Sequence, residues 1–223
     1  MKRTKICMRN LPYYSKGEET MNTVTHIVGG GLSCIMLVLC IVKPVLLSQL
    51  EDLLGAIIYG ISLLCVYTIS SIYHGLHPGT AKKVMQVLDH CMIYFLIAGT
   101  YTPIILSAIM PKYHNIGCAM LVIEWGLGIT AATLTAIDLK RYRVFSMVCY
   151  ITMGWCLIFF MPQVMDALSM QCFLWILSGG IAYTVGAVIY GLGTKFKWMH
   201  TVFHLFVILG SVMQFIGIIL YVL

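Results

Sequence analysis

Seven apolar stretches, each about twenty residues long, dominate this chain and constrain it more than any motif does. They run over 23–42, 53–75, 84–109, 114–137, 144–162, 170–191 and 199–221. A helix needs roughly 20 residues to cross about 30 Å of hydrocarbon, so each stretch is long enough to span a bilayer. Barrel strands would read as alternating segments of about 10 residues. Only 10% of the residues are charged and 60% are hydrophobic, whereas a water-soluble domain carries about 25% charged residues. The expectation is an all-α membrane protein of seven transmembrane helices, with short Pro-, Gly-, Lys- or Asp-containing connections.

The opening 22 residues, "MKRTKICMRNLPYYSKGEETMN", are basic and polar, and the apolar run after them shows no clear cleavage site. They read as a retained cytoplasmic segment, 1–22, ahead of one membrane domain, 23–223. Eight of nine cysteines fall within apolar runs and no CxxC occurs. They read as small membrane-buried side chains without a disulfide framework.

Positive charge sets the orientation. With the N-terminus in the cytoplasm, the inner segments hold Lys2, Arg3, Lys5, Arg9, Lys16, Lys82, Lys83, Lys140, Arg141, Arg143, Lys195 and Lys197. The outer segments hold Lys43 and Lys112. The C-terminus then lies outside, and the net charge of +6 needs no nucleic-acid partner to account for it.

This topology gathers polar residues at one depth. The second span ends in "SSIYHGLHPG", the third opens with "VMQVLDHCMIY", and the seventh opens with "MHTVFHLFVILGS". His74, Asp89, His200 and His204 therefore meet near the cytoplasmic face. Imidazoles at i and i+4 share a helix face, and His74 from a facing helix completes a three-histidine set with one position left for water. That is the catalytic pattern of zinc, in which bound water has a pKa near 7. Asp89 is positioned as the base. Ser70, one turn deeper than His74, is positioned to hydrogen-bond a carbonyl or developing oxyanion. The competing reading is that these histidines face interfacial water or bond to one another. His90 is a second-choice ligand, His77 reads as a loop residue, His114 lies outside, and His26 reads as hydrogen-bonded within the bundle. Glu124, near the middle of the fourth span, must be protonated, paired or facing a wet cavity. Gly29, Gly30, Gly31 and Pro103 suggest close helix packing and a kink.

The motifs "SSIYH", "LDHCMIYFLIAGTYTP" and "MHTVFHLFVILGS", with "EETMNTVTHIVGG" near the N-terminus, resemble the hemolysin III family. That family is related to the adiponectin and progestin receptors and more distantly to alkaline ceramidases. The resemblance covers nearly the whole chain from about Glu18. It implies a seven-helix fold with zinc held by His74, His200 and His204 near the cytoplasmic face. It also implies an Asp89 that contacts the zinc-bound water, and a Ser70 matching the serine one turn before the first histidine. The short N-terminal segment is similar to bacterial members and implies a cell membrane location. The function implied is zinc-dependent hydrolysis of a membrane lipid amide or ester. The alternatives are a receptor or sensor with structural zinc, and a hemolysin that lyses cells.

Overall fold

The computed structural model describes residues 6–192 and 196–223. Lys2, Arg3, Lys5 and Lys195, assigned above to the inner face, lie outside the described residues. The chain is helical, with no strand among the described residues: α1 Lys16–Leu46, α2 Leu53–Gly75, α3 Thr80–Pro103, α4 His114–Ile137, α5 Arg143–Gly154, α6 Met161–Ala167, α7 Met170–Leu192 and α8 Met199–Tyr221. Six of these elements are long and apolar enough to cross a membrane. The seventh crossing is the bent pair α5–α6, joined at 42°.

Helix α1 begins seven residues before its apolar run. Ser15 and Glu18 form a reciprocal capping box, with Glu18 N–H donating to Ser15 Oγ at 3.3 Å and Ser15 N–H donating to Glu18 Oε2 at 2.9 Å. Such a cap contributes about 1 kcal/mol and fixes the first turn. The helix then shows a membrane-type inversion of polarity. Asn22, Thr25, His26 and Ser33 are buried, while Val28, Ile35 and Val42 face outward.

The first and last helices run parallel, side by side. Trp198 N–H donates to Glu18 Oε1 at 2.8 Å, Thr201 Oγ1 donates to Asn22 Oδ1 at 2.6 Å, and Thr25 meets His204. At the other end Lys43 Nζ donates to the Ile219 carbonyl. Numbers rise together along both helices, so an odd number of crossings separates the start of α1 from the end of α8. The bent pair supplies the required crossing. Arg143 and His200 line the same cavity at one end of the bundle, while Asp166 accepts from Lys112 Nζ and from the Tyr113 hydroxyl, 2.9 Å away, at the other.

The run 144–162 is thus not one straight helix. Gly154 is a weak helix former and ends α5, a short tight turn covers Cys156–Phe160, and Pro162 sits in the first turn of α6, where its missing N–H costs nothing. The third stretch runs through Pro103 into a π-helical segment, Ile104–Ile109. Helices α7 and α8 approach backbone to backbone at Gly179 and Gly210. A Cβ on Gly179 would lie 2.9 Å from the Gly210 carbonyl oxygen, and one on Gly210 would lie 3.1 Å from that of Gly179. Small residues at such a crossing allow the close packing that drives association in lipid. Gly29 makes a similar approach to the Tyr67 ring, whereas Gly31 faces open space.

Candidate metal centre

Two helices bring His74, His200 and His204 together. His74 lies on the last turn of α2, and the other two lie on the first turns of α8, four residues apart on one face. His200 Nε2 is 3.2 Å from His74 Nε2 and 3.1 Å from His204 Nε2.

Their outer nitrogens decide the tautomers. His74 Nδ1 is 2.7 Å from Glu19 Oε2, and a carboxylate accepts, so that nitrogen carries the proton and Nε2 keeps a bare lone pair. His204 Nδ1 is 3.2 Å from Thr25 Oγ1, and that hydroxyl donates its own proton to the Asn22 carbonyl. His204 Nδ1–H is therefore the donor, and its Nε2 is also bare. Two lone pairs converge on His200 Nε2, which can carry one proton at most. A nitrogen cluster of this kind could hold a cation. Nitrogens sharing a tetrahedral zinc at ~2.0–2.1 Å are separated by about 3.3 Å, so the set fits that ion. A carboxylate–histidine pair behind a metal ligand also raises its basicity and fixes its ring.

Glu19 holds more than His74. Its other oxygen is 2.7 Å from Lys82 Nζ, at the start of α3. Lys82 is buried and donates as well to the carbonyls of His74 at 3.1 Å and Leu76 at 3.0 Å, the unsatisfied end of α2. Two consecutive glutamates thus fasten four elements. Glu18 anchors the start of α8, and Glu19 anchors the end of α2 and the start of α3. Tyr14 closes the centre from the N-terminal segment, its ring stacked on His200 with centroids 5.0 Å apart. Burial, with Tyr190, Glu19, Asp89 and Glu18 nearby, holds its hydroxyl above the usual phenol range, so it stays a neutral donor.

Hydropathy alone misses Glu19, because it places the residue in the polar tail. The signal that finds it is helical spacing: Glu19, Asn22, His26, Gly29 and Ser33 recur on one face, and the last four are buried.

Among the described residues, neither Asp89 nor Ser70 makes a hydrogen bond or ion pair to the three histidines. Both line a cavity of about 210 Å³ that His200 and His204 also line. Ser70 is buried and Asp89 half-buried, with Asp89 Oδ2 3.8 Å from His90 Nδ1. His90 lines the same cavity, its Nδ1–H donating to the Gln86 carbonyl at 2.8 Å. His77 and His114 are exposed. His26 is buried with its ring centroid 3.9 Å from that of His204, and neither of its nitrogens has a hydrogen-bond partner among the described residues, contrary to the expected bond within the bundle. The cavity is mostly apolar below this polar end. It reaches Gln214, fourteen residues beyond His200 on α8 and about 21 Å along that helix. The arrangement offers three nitrogens for a cation, a carboxylate and a hydroxyl beside them, and a slot long enough for a hydrocarbon chain.

The Haemolysin-III related family matches residues 14–215, a range that contains all of these side chains. The chain is similar to Hemolysin-3 of Bacillus cereus, with 34% identity over 206 residues, 92% of each chain. It is 33% identical over 204 residues to a Hemolysin-3 homolog of Bacillus subtilis, covering 92% of this chain and 94% of the relative. It is also 24% identical over 213 residues to the human Monocyte to macrophage differentiation factor, covering 90% and 83%.

Proposed function

The chain belongs to the Haemolysin-III related family, and from that premise we propose that it is a zinc-dependent membrane hydrolase acting on a lipid amide or ester. The observation that carries this reading is the convergence of three imidazole nitrogens at the polar end of a long apolar cavity. The split of positive charge supports placing that end at the cytoplasmic face of a cell membrane.

His74, His200 and His204 would hold the ion, with Glu19 and Thr25 fixing the tautomers of two of them. Zinc held there would supply Lewis-acid activation of a carbonyl and of water. Asp89, on the cavity wall, takes the proton from the attacking water and returns it to the leaving amine or alcohol. Ser70 donates its hydroxyl proton to the carbonyl oxygen as charge develops there. The apolar walls hold the acyl chain and keep bulk water from it.

The test is turnover of a ceramide and of a fatty acyl ester by purified protein, with metal content measured in parallel. The expected result is one zinc per chain and turnover that a chelator and His204→Ala both abolish. Equal turnover in all samples would remove the mechanism.

A second reading is supported by the name of the Bacillus cereus relative, Hemolysin-3: lysis of cells. Leakage from liposomes that persists in the His74→Ala and His204→Ala variants would favour direct pore formation over lipid hydrolysis.

A further inference from the structure

Glu124 stands near the middle of α4, ten residues from His114 and thirteen from Ile137. It is fully buried, and neither carboxyl oxygen makes a hydrogen bond or ion pair among the described residues. A buried group without a partner needs an explanation, and an ionisable residue inside a membrane span is a functional site by default.

The backbone beside it is irregular on two sides. Helix α3 passes at Pro103 into the π-helical segment Ile104–Ile109, a geometry that recurs at functional sites. The indole of Trp125, the next residue on α4, donates to Thr102 Oγ1 at 3.1 Å, which fixes α4 against that stretch. On the other side lies the break between α5 and α6, where Cys156 comes close to the carboxyl without completing a hydrogen bond to it. Acidic groups beside interrupted membrane helices are the arrangement by which transporters bind ions at the bilayer midplane.

Tyr101 relates the site to the cavity. The Tyr101 hydroxyl donates to the Gly154 carbonyl at 2.8 Å, and both residues line the deep end of the cavity. Tyr101 interacts electrostatically with Glu124 and Cys156. Among the described residues, the titratable groups beside the carboxyl are Tyr101 from α3 and Cys156 from the α5–α6 break.

We propose that Glu124 is a proton-binding site within the membrane, loaded and emptied from the cavity past Tyr101. On loading, a hydronium ion entering the cavity gives up one proton and leaves as water, and a Glu124 carboxylate oxygen gains that proton; emptying is the reverse. The Tyr101 hydroxyl releases its proton on one side as it takes one on the other, and so is unchanged after each passage. The proposal does not depend on the metal centre or on hydrolysis.

Infrared spectroscopy of the full chain in liposomes tests it, in H2O and then in D2O. A carboxylic-acid C=O band that is present in wild type, absent in Glu124→Gln and shifted within minutes of D2O exposure is expected. Tyr101→Phe should slow that shift by roughly tenfold or more. A missing band would show a carboxylate without its proton, and a band unshifted after a day would show a sealed structural acid. Either result overturns the proposal, and exchange in Tyr101→Phe at the wild-type rate overturns the route. Labelling with dicyclohexylcarbodiimide needs no variant: modification of Glu124 in the native protein supports the site. Modification confined to denatured protein refutes it.

Discussion

Glu19 Oε2 and His74 Nδ1 lie 2.7 Å apart, joining the first turn of α1 to the last turn of α2. The contact ties the candidate metal centre to a residue that sits ahead of the first apolar run. Removing the charge while keeping the shape isolates its effect. Glu19→Gln should lower zinc affinity by about 10- to 100-fold, as read by competition with a chromophoric chelator. Thr25→Val removes the neutral acceptor behind His204 and should cost less, since a charged partner makes the stronger bond.

Lys82 should prove structural rather than a surface charge. Its ammonium is spent on Glu19 and on two terminal carbonyls of α2. Lys82→Met leaves those groups without their partner and should destabilise the protein by about 3 kcal/mol, measured by chemical unfolding in detergent. The double variant with Glu19→Gln should lose less than the sum of the two single losses, because they share one interaction.

Metal should stabilise the fold by mass action. At zinc one hundred times above its dissociation constant the gain is about 2.7 kcal/mol. A thermal scan should show a rise in Tm on adding zinc, a fall on chelation, and neither response in His74→Ala. A zinc-independent Tm in the wild type would argue against a bound ion.

The α7–α8 crossing should not tolerate bulk. At Gly179 an added side chain meets the Gly210 carbonyl at 2.9 Å and the Gln214 side chain closer still. Gly179→Val should cost at least about 1–3 kcal/mol and lower the Tm. Gly31→Val, which meets nothing within 4 Å, serves as the control.

Hydropathy and charge make most of the fold legible. The helices and the meeting of His74, His200 and His204 follow from counting spans and noting which ends share a side. What hydropathy does not show has a common physical origin. It reports the free energy of a segment against lipid, and the residues that escape it face the interior. Glu19 and Lys82 read as tail and loop charges, yet each is satisfied by the other and by helix-end groups. The bend in the fifth crossing is invisible to an apolar count over 144–162, although Gly154 and Pro162 mark it for anyone reading backbone chemistry. Glu124 is conspicuous in the sequence, but only packing shows that its oxygens lack partners.

The parallel pairing of α1 with α8 makes the order of synthesis matter. Glu18, Asn22 and Thr25 emerge from the ribosome well before their partners Trp198, Thr201 and His204. Until that final segment inserts, the leading helix carries a row of unanswered polar groups and the nascent bundle stays open along one seam. Closure of that seam and completion of the histidine cluster are one event, so a chain cut short before α8 cannot hold an ion at this place.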